Sequence, residues 1–349
     1  MRREAPAPQI GLVHLGLGAF FRAHGAVYIQ DAGTPGWGIL GVSLRSPDVR
    51  DTLARQDFLY HAVERGPDGD RVTLVNQLAG VLCAPKQPQA VRDALAAPNT
   101  KLVTLTVTEK GYCHSPSTGK LDLSHTDIQA DLGGTPTSAL GYLVDGFAAR
   151  RAAGIPPFTV LSCDNIPHNG ALLRGLVCDL AHAQDPDLAA WIDEHGRFPS
   201  SMVDRIVPAT RPSDIEALAA QTGVTDHAPI FHEPFRQWVI EDRFVGGHRP
   251  EWERAGVQMV RDVAPFEAMK LRMLNGAHSA LAYLAPGAGH HTVAQAVADP
   301  IFATYLSRMW DEEVIPTLTH RQHRVHHLRG VTAIWGSFGQ TRAERIVHR

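Results

Sequence analysis

Cysteine is scarce in this chain of 349 residues, and nothing about its placement suggests pairing. The four cysteines, Cys83, Cys113, Cys163 and Cys178, are scattered and form no C-x-x-C. That spacing argues against zinc ribbons, other metal sites and disulfide frameworks, and for free thiols in a reducing, cytoplasmic compartment. Long apolar runs are also missing: none approaches the roughly 18 residues that argue a membrane span. The opening MRREAPAPQIGL carries charges but no apolar core before a cleavage site, so no secretory leader is expected. Charge of one sign is lacking too. With 33 basic and 36 acidic residues the net charge is −3, and no block of like charge points to nucleic acid or an anionic membrane. No internal repeat is visible. What remains is an ordinary globular composition, 44% hydrophobic, long enough for two domains and suited to a small-molecule substrate.

The first apolar run, residues 10–15, stops at Gly16-Leu-Gly18 and reads as a buried strand entering a tight turn. Further strands are expected at 38–44, 102–107 and 158–162, with a helix at 138–153. Buried strands alternating with helices predict an α/β fold with a mostly parallel sheet. Segments 58–63 and 72–75 read as a hairpin joined by Gly-Pro-Asp-Gly at 66–69. After residue 262 the pattern turns helical, with helices at 266–284 and 293–318 around Pro286-Gly-Ala-Gly289. The expected organisation is a Rossmann-type dinucleotide-binding domain at 1–262, then the start of an all-helical domain at 263–318. Residues 319–349 hold five histidines and six arginines without periodicity, and read as a frameshifted, non-native tail, or else as a metal- or anion-binding one.

Gly16-x-Gly18 at a strand end opens a dinucleotide fingerprint. The first glycine allows the turn, the second allows close approach of a pyrophosphate, and the next helix N-terminus favours the anion. The third glycine is absent, and Phe21 stands in its place. Asp48, beyond the second strand, is placed to accept from ribose hydroxyls and so to favour NAD. Arg45 could instead hold the 2′-phosphate of NADP, and Asp48 could simply cap a helix. The loops 106–112 and 162–167 leave strand ends where ligands of such sheets bind. Asp164-Asn165 could equally form a turn capping the next helix.

Chemistry is suggested by Glu267, Lys270, Asn275 and His278 within one helical segment. With Lys270 at zero, an α-helix puts Glu267 at about 60°, His278 at about 80° and Asn275 at about 140°. Polar groups grouped on an apolar helix are costly to bury without partners, so a cleft is expected there. A lysine can exchange a proton with a carbonyl or alcohol oxygen while asparagine and histidine hold that oxygen. A solvated face with a Glu267–Lys270 ion pair is the plainer alternative.

Taken together, Gly16-Leu-Gly-Ala-Phe20-Phe-Arg22-Ala-His24, Thr108-Glu-Lys-Gly-Tyr112, Ser162-Cys-Asp-Asn165, Met202-Val-Asp-Arg-Ile-Val-Pro208, 232–242 and Lys270-x₄-Asn275-x₂-His278 resemble the polyol-specific long-chain dehydrogenases. That group includes mannitol 2-dehydrogenase and fructuronate reductase, and the likeness runs from about residue 10 to 318. The resemblance implies metal-independent catalysis with Lys270 as acid/base and Asn165, Asn275 and His278 around the reacting oxygen. It implies NAD contacts from Gly16, Gly18, Phe20, Arg22, Asp48, Thr108 and Glu109. Substrate contacts are expected from Lys110, Asp204, Arg205 and Glu267. Phe21 departs from the group's histidine, and the group continues past residue 318 with helices that close over the substrate. The motif details lean to fructuronate reductase, interconverting D-fructuronate and D-mannonate, with Lys110 the better cation for a uronate carboxylate and Arg272 turned away. Mannitol 2-dehydrogenase or another polyol or tagaturonate reductase is the alternative, as is an inactive truncated NAD-binding relative.

Overall fold

The computed structural model describes residues 1–66, 69–115 and 117–318; the expectations for the 319–349 tail lie outside them. The strands, in chain order, are β1 (Ile10–Leu15), β2 (Gly38–Ser43), β3 (Tyr60–Gly66), β4 (Gly69–Val75), β5 (Leu78–Cys83) and β6 (Leu102–Leu105). They continue with β7 (Thr159–Ser162), β8 (Ser201–Asp204), β9 (Ile230–His232), β10 (Gln237–Glu241) and β11 (Gln258–Val260). Five of them form a parallel sheet in the order β5-β2-β1-β6-β7. This is a doubly wound, dinucleotide-binding order. The chain runs outward from β1 through β2 to β5, then crosses back to β6, so the loops after β1 and β6 part and leave a crevice.

β2, β6 and β7 are buried along their whole length, as a sheet covered on both faces requires. Alternate residues feed two cores. Val13, Leu15, Val42 and Val160 pack with the helices Pro88–Ala96, Ala139–Ala152 and Asn169–Gln184. Leu12, Ile39 and Leu161 pack with Tyr28, Trp238 and Trp252 on the other face. The hairpin of β3 and β4 is antiparallel as expected, and β9 extends it by pairing parallel to β3. β8, β10 and β11 form a third small sheet.

The helical region begins at Ala264 and carries its own core of Leu274, Leu281, Phe302, Leu306 and Trp310. The expected helix at 266–284 is present as Ala264–Met269 and Gly276–Leu284, joined by a π-turn over Lys270–Asn275. The expected helix at 293–318 is interrupted: Pro300 starts a second helix, and the Asp299 carboxylate caps it by accepting from the Ile301 N–H at 2.8 Å.

Candidate active site

The crevice is built first by the turn after β1. Gly16 has φ +86°, and a Cβ there would meet the Thr106 carbonyl oxygen at 2.3 Å, so only glycine fits. Its carbonyl accepts from the Thr106 hydroxyl at 2.9 Å. Because that hydroxyl proton is committed, His14 must donate to Thr106 through Nε2 (3.0 Å) and accept from the Thr104 hydroxyl at Nδ1 (2.8 Å). Burial holds this imidazole neutral, with its pKa lowered to about 3. Phe21 lies flat on it, ring centroids 3.4 Å apart. The residue in place of the third glycine thus backs the glycine turn from inside.

The second wall comes from the loop after β6. The expected strand at 102–107 ends at Leu105 because Asp164, after β7, draws the next backbone toward itself. Its buried carboxylate accepts from the N–H groups of Val107 (3.0 Å) and Thr108 (2.9 Å) and from the Tyr112 hydroxyl (3.0 Å). Burial pushes this carboxyl up, and those three donors oppose the shift. Thr108 is thereby held at φ +62°, ψ 166°, a conformation costing a non-glycine residue about 1–3 kcal/mol. Asp164 is therefore a clamp between two loops rather than a local turn former. Asn169 completes the bracing, donating to the carbonyls of Asp164 (3.0 Å) and Ser201 (2.8 Å).

The third wall is the π-turn. Its hydrogen bonds are spaced i→i+5, which turns Lys270 and Asn275 closer to one side than the roughly 140° that an α-helix would set between them. The indole N–H of Trp310 donates to the Met273 carbonyl within this turn at 3.1 Å. Lys270 reaches from the helix to the sheet: its Nζ lies 3.2 Å from Asn165 Oδ1, 2.5 Å from the Val203 carbonyl and 3.4 Å from Asp204 Oδ1. Burial pushes the Asp204 carboxyl up, and Lys270 pulls it back. His278 is lowered by burial and by the Lys270 charge, so its ring is neutral near pH 7. Lys270, Asn165, Asn275, His278, Asp204 and Phe20 line one cavity of about 600 Å³ at the ends of β1, β6, β7 and β8. Sequence spacing alone does not show that Asp204 is the lysine's ion-pair partner, because β8 lies 66 residues away from it along the chain.

Other expected residues fall elsewhere. Gly18, Thr106 and Thr108 are shared with a shallower groove of about 520 Å³ running to the end of β2 past Ser43, Arg45, Ser46 and Lys110. Lys110 therefore faces the groove and not the Lys270 cavity, while Glu109 lines the cavity. Asp48 sits in the first turn of Asp48–Ala54, held by Ser46, and is not among the groove residues. Arg22 is buried away from the crevice, donating to the Ala228 carbonyl at 2.8 Å and lying over the Tyr60 ring. Arg205 borders the cavity, but its guanidinium donates to the carbonyls of Ala23 (2.6 Å) and Glu233 (3.1 Å). Glu267 accepts from the His168 N–H at 3.2 Å and lines an adjoining cleft, with no Glu267–Lys270 ion pair among those described. Arg272 is tied to Thr317.

Two family models match in tandem, one for the mannitol dehydrogenase Rossmann domain over residues 10–254 and one for the mannitol dehydrogenase C-terminal domain over 262–334. The chain belongs to the mannitol dehydrogenase family. The D-mannonate oxidoreductase of Escherichia coli (strain K12) is 44% identical over 317 residues, covering 88% of this chain and 65% of that protein. A mannitol 2-dehydrogenase of Aspergillus fumigatus (strain CBS 144.89 / FGSC A1163 / CEA10) is also 44% identical, over 88% of this chain and 64% of its own length. The chain thus spans just under two thirds of these curated relatives. Among solved structures, a substrate-free D-sorbitol dehydrogenase superposes with TM-score 0.90 at 37% identity, over 95% of this chain and 70% of the other. The Pseudomonas fluorescens mannitol 2-dehydrogenase, solved with NAD and D-mannitol, gives 0.86 at 38%, over 97% and 70%. The second family match reaches 16 residues past the last described one.

Proposed function

We propose that this chain carries the active site of an NAD-dependent oxidoreductase that interconverts a secondary alcohol and a ketone on a polyol or sugar-derived acid. The observation carrying this is Lys270 Nζ held beside Asn165 and Asp204, with Asn275 and His278 in the same cavity, at the end of a glycine-turn groove. The groove suits a dinucleotide. A Cβ on Gly18 would meet nothing nearer than 3.8 Å, and the buried Ser43 hydroxyl at the β2 end has no hydrogen-bond partner. Gly16, Gly18, Thr108 and Ser43 would hold the cofactor, which supplies the hydride acceptor or donor when bound.

Lys270 takes the proton of the reacting hydroxyl as the alcohol is oxidised, and returns it in the reverse direction. Asn165 and Asn275 offer amide N–H groups to the oxygen, and neutral His278 adds a further donor. Asp204 orients the ammonium. Asp164 keeps the loops of Thr108 and Asn165 at a fixed spacing.

Within the family, the cavity favours a neutral polyol over a uronate. Its two cations are already engaged, Lys270 with Asp204 and Arg205 with backbone carbonyls, while Lys110 lies in the groove. Among the described residues no uncommitted cation lines the cavity to meet a carboxylate. The fructuronate reading keeps the Escherichia coli relative in its favour. A panel of D-mannitol with D-mannonate, and D-fructose with D-fructuronate, decides between them. Higher kcat/KM on the neutral pair supports the polyol reading. Higher kcat/KM on the acids restores the uronate reading, and no turnover of any of the four overturns the assignment.

A further inference from the structure

A second cluster of reactive side chains lies beside the groove and plays no part in the chemistry above. Cys113 follows the short turn Glu109–Tyr112 and has φ +48°. Farther along the chain, the Asp122 N–H donates to the Cys113 carbonyl at 2.9 Å. His125 then caps the helix Thr126–Leu132, accepting from the Asp127 N–H at Nδ1. The result brings a Cys113 Sγ, a ring nitrogen of His125 and a carboxylate oxygen of Asp127 all within 4.8 Å of one another.

A thiolate, an imidazole and a carboxylate are the donors that suit a borderline-soft divalent cation, with zinc first among them. The surroundings agree in sign. Asp122, Asp127 and Asp131 all place negative charge near the thiol, against the single positive charge of Arg45. Arg45 forms an ion pair with Asp127 at 2.5 Å, but its side chain is 65% exposed, so releasing it costs little.

We propose that Cys113, His125 and Asp127 form a binding site for Zn²⁺, with a water in the fourth position. On binding, the Cys113 S–H bond breaks and its proton passes to solvent as the Zn–S bond forms. The imidazole gives up the Asp127 N–H and turns its one lone pair to the metal, and an Asp127 oxygen exchanges Arg45 for the metal. The site is independent of the cofactor assignment, although Arg45 and His125 both border the groove.

Co²⁺ titrated into the full chain tests this, because a sulfur-to-cobalt absorption band reports thiol ligation that the histidines of 319–349 cannot produce. One equivalent should give the band, and Zn²⁺ should bleach it. Cys113→Ser should abolish it, while Cys178→Ser, which alters the one cysteine that is not buried, should leave it intact. His125→Asn keeps a helix-capping side chain but removes the ring, and should weaken binding at least tenfold. That variant keeps the test open if Cys113→Ser fails to fold. No band, a band surviving Cys113→Ser, or unchanged affinity in His125→Asn would overturn the site.

Discussion

Three buried histidines make the stability of the molecule depend on pH. His14, His24 and His232 have pKa values lowered to about 3, chiefly by burial. In the unfolded chain they titrate near 6.5. Between pH 6.5 and about 3 the unfolded state therefore binds more protons, and stability falls as pH falls through that window. Each fully titrating histidine adds a slope of about 1.4 kcal/mol per pH unit. Urea midpoints should be flat above pH 7 and decline steadily below 6.5; a midpoint that holds to pH 4.5 would refute the buried neutral state. His14→Leu is a local test. It removes the donor to Thr106 and so loosens the carbonyl of Gly16, and NADH should bind more weakly by titration calorimetry. Unchanged affinity would show that the turn does not depend on this relay. At this scale the grouping of the candidate residues is legible in the sequence, since Lys270, Asn275, His278 and Asn165 carry recognisable motifs and line one cavity. The orientations of Arg22 and Lys110 are not legible there, because a motif names a residue without saying which way its side chain turns. Arg22 goes into the core and Lys110 into the groove.

Among the elements, most parallel strands are legible because β2, β6 and β7 are short runs made largely of apolar or β-branched residues. β5 reads Leu-Ala-Gly-Val-Leu-Cys, and β8, β9 and β11 have only four, three and three residues, so local pattern does not single them out. The π-turn was invisible for a different reason. A helical wheel assumes one repeat throughout, and the extra residue at Lys270–Asn275 sits where a side chain distant in sequence, Trp310, donates to the Met273 carbonyl. Arg150 is another long-range device. Its guanidinium donates to the carbonyls of Leu95, Ala97, Thr100 and Pro156 at 2.7–3.0 Å, tying the end of Pro88–Ala96 to the start of β7. Arg150→Met strands several buried acceptors and should cost about 3 kcal/mol or more, read as a lower denaturant midpoint at unchanged m. A loss under about 1 kcal/mol would mean that water replaces the guanidinium there.

For the molecule as a whole, the cavity exists only where the helical region meets the sheets. Lys270 reaches Asn165, Val203 and Asp204 across that junction, and Glu267 reaches His168. Among the described residues no helix is long and apolar enough to cross a membrane. The helical region nonetheless exposes Tyr283 (78%), Ile301 (76%) and Leu271 (55%). Replacing Tyr283 and Ile301 together by lysine should reduce concentration-dependent light scattering with little change in melting temperature. A large fall in melting temperature would show that these side chains are covered in solution. Lys270 is proposed to perform proton transfer in a cavity that adjoins the cofactor groove, where its side chain is not among the lining residues. Comparing Lys270→Ala with the parent chain in kcat on the preferred substrate and in NADH affinity puts that role to the test. Turnover should fall by about 100-fold or more while NADH binds as before. Near-normal turnover, or a loss of NADH affinity that accounts for the whole defect, would contradict that claim.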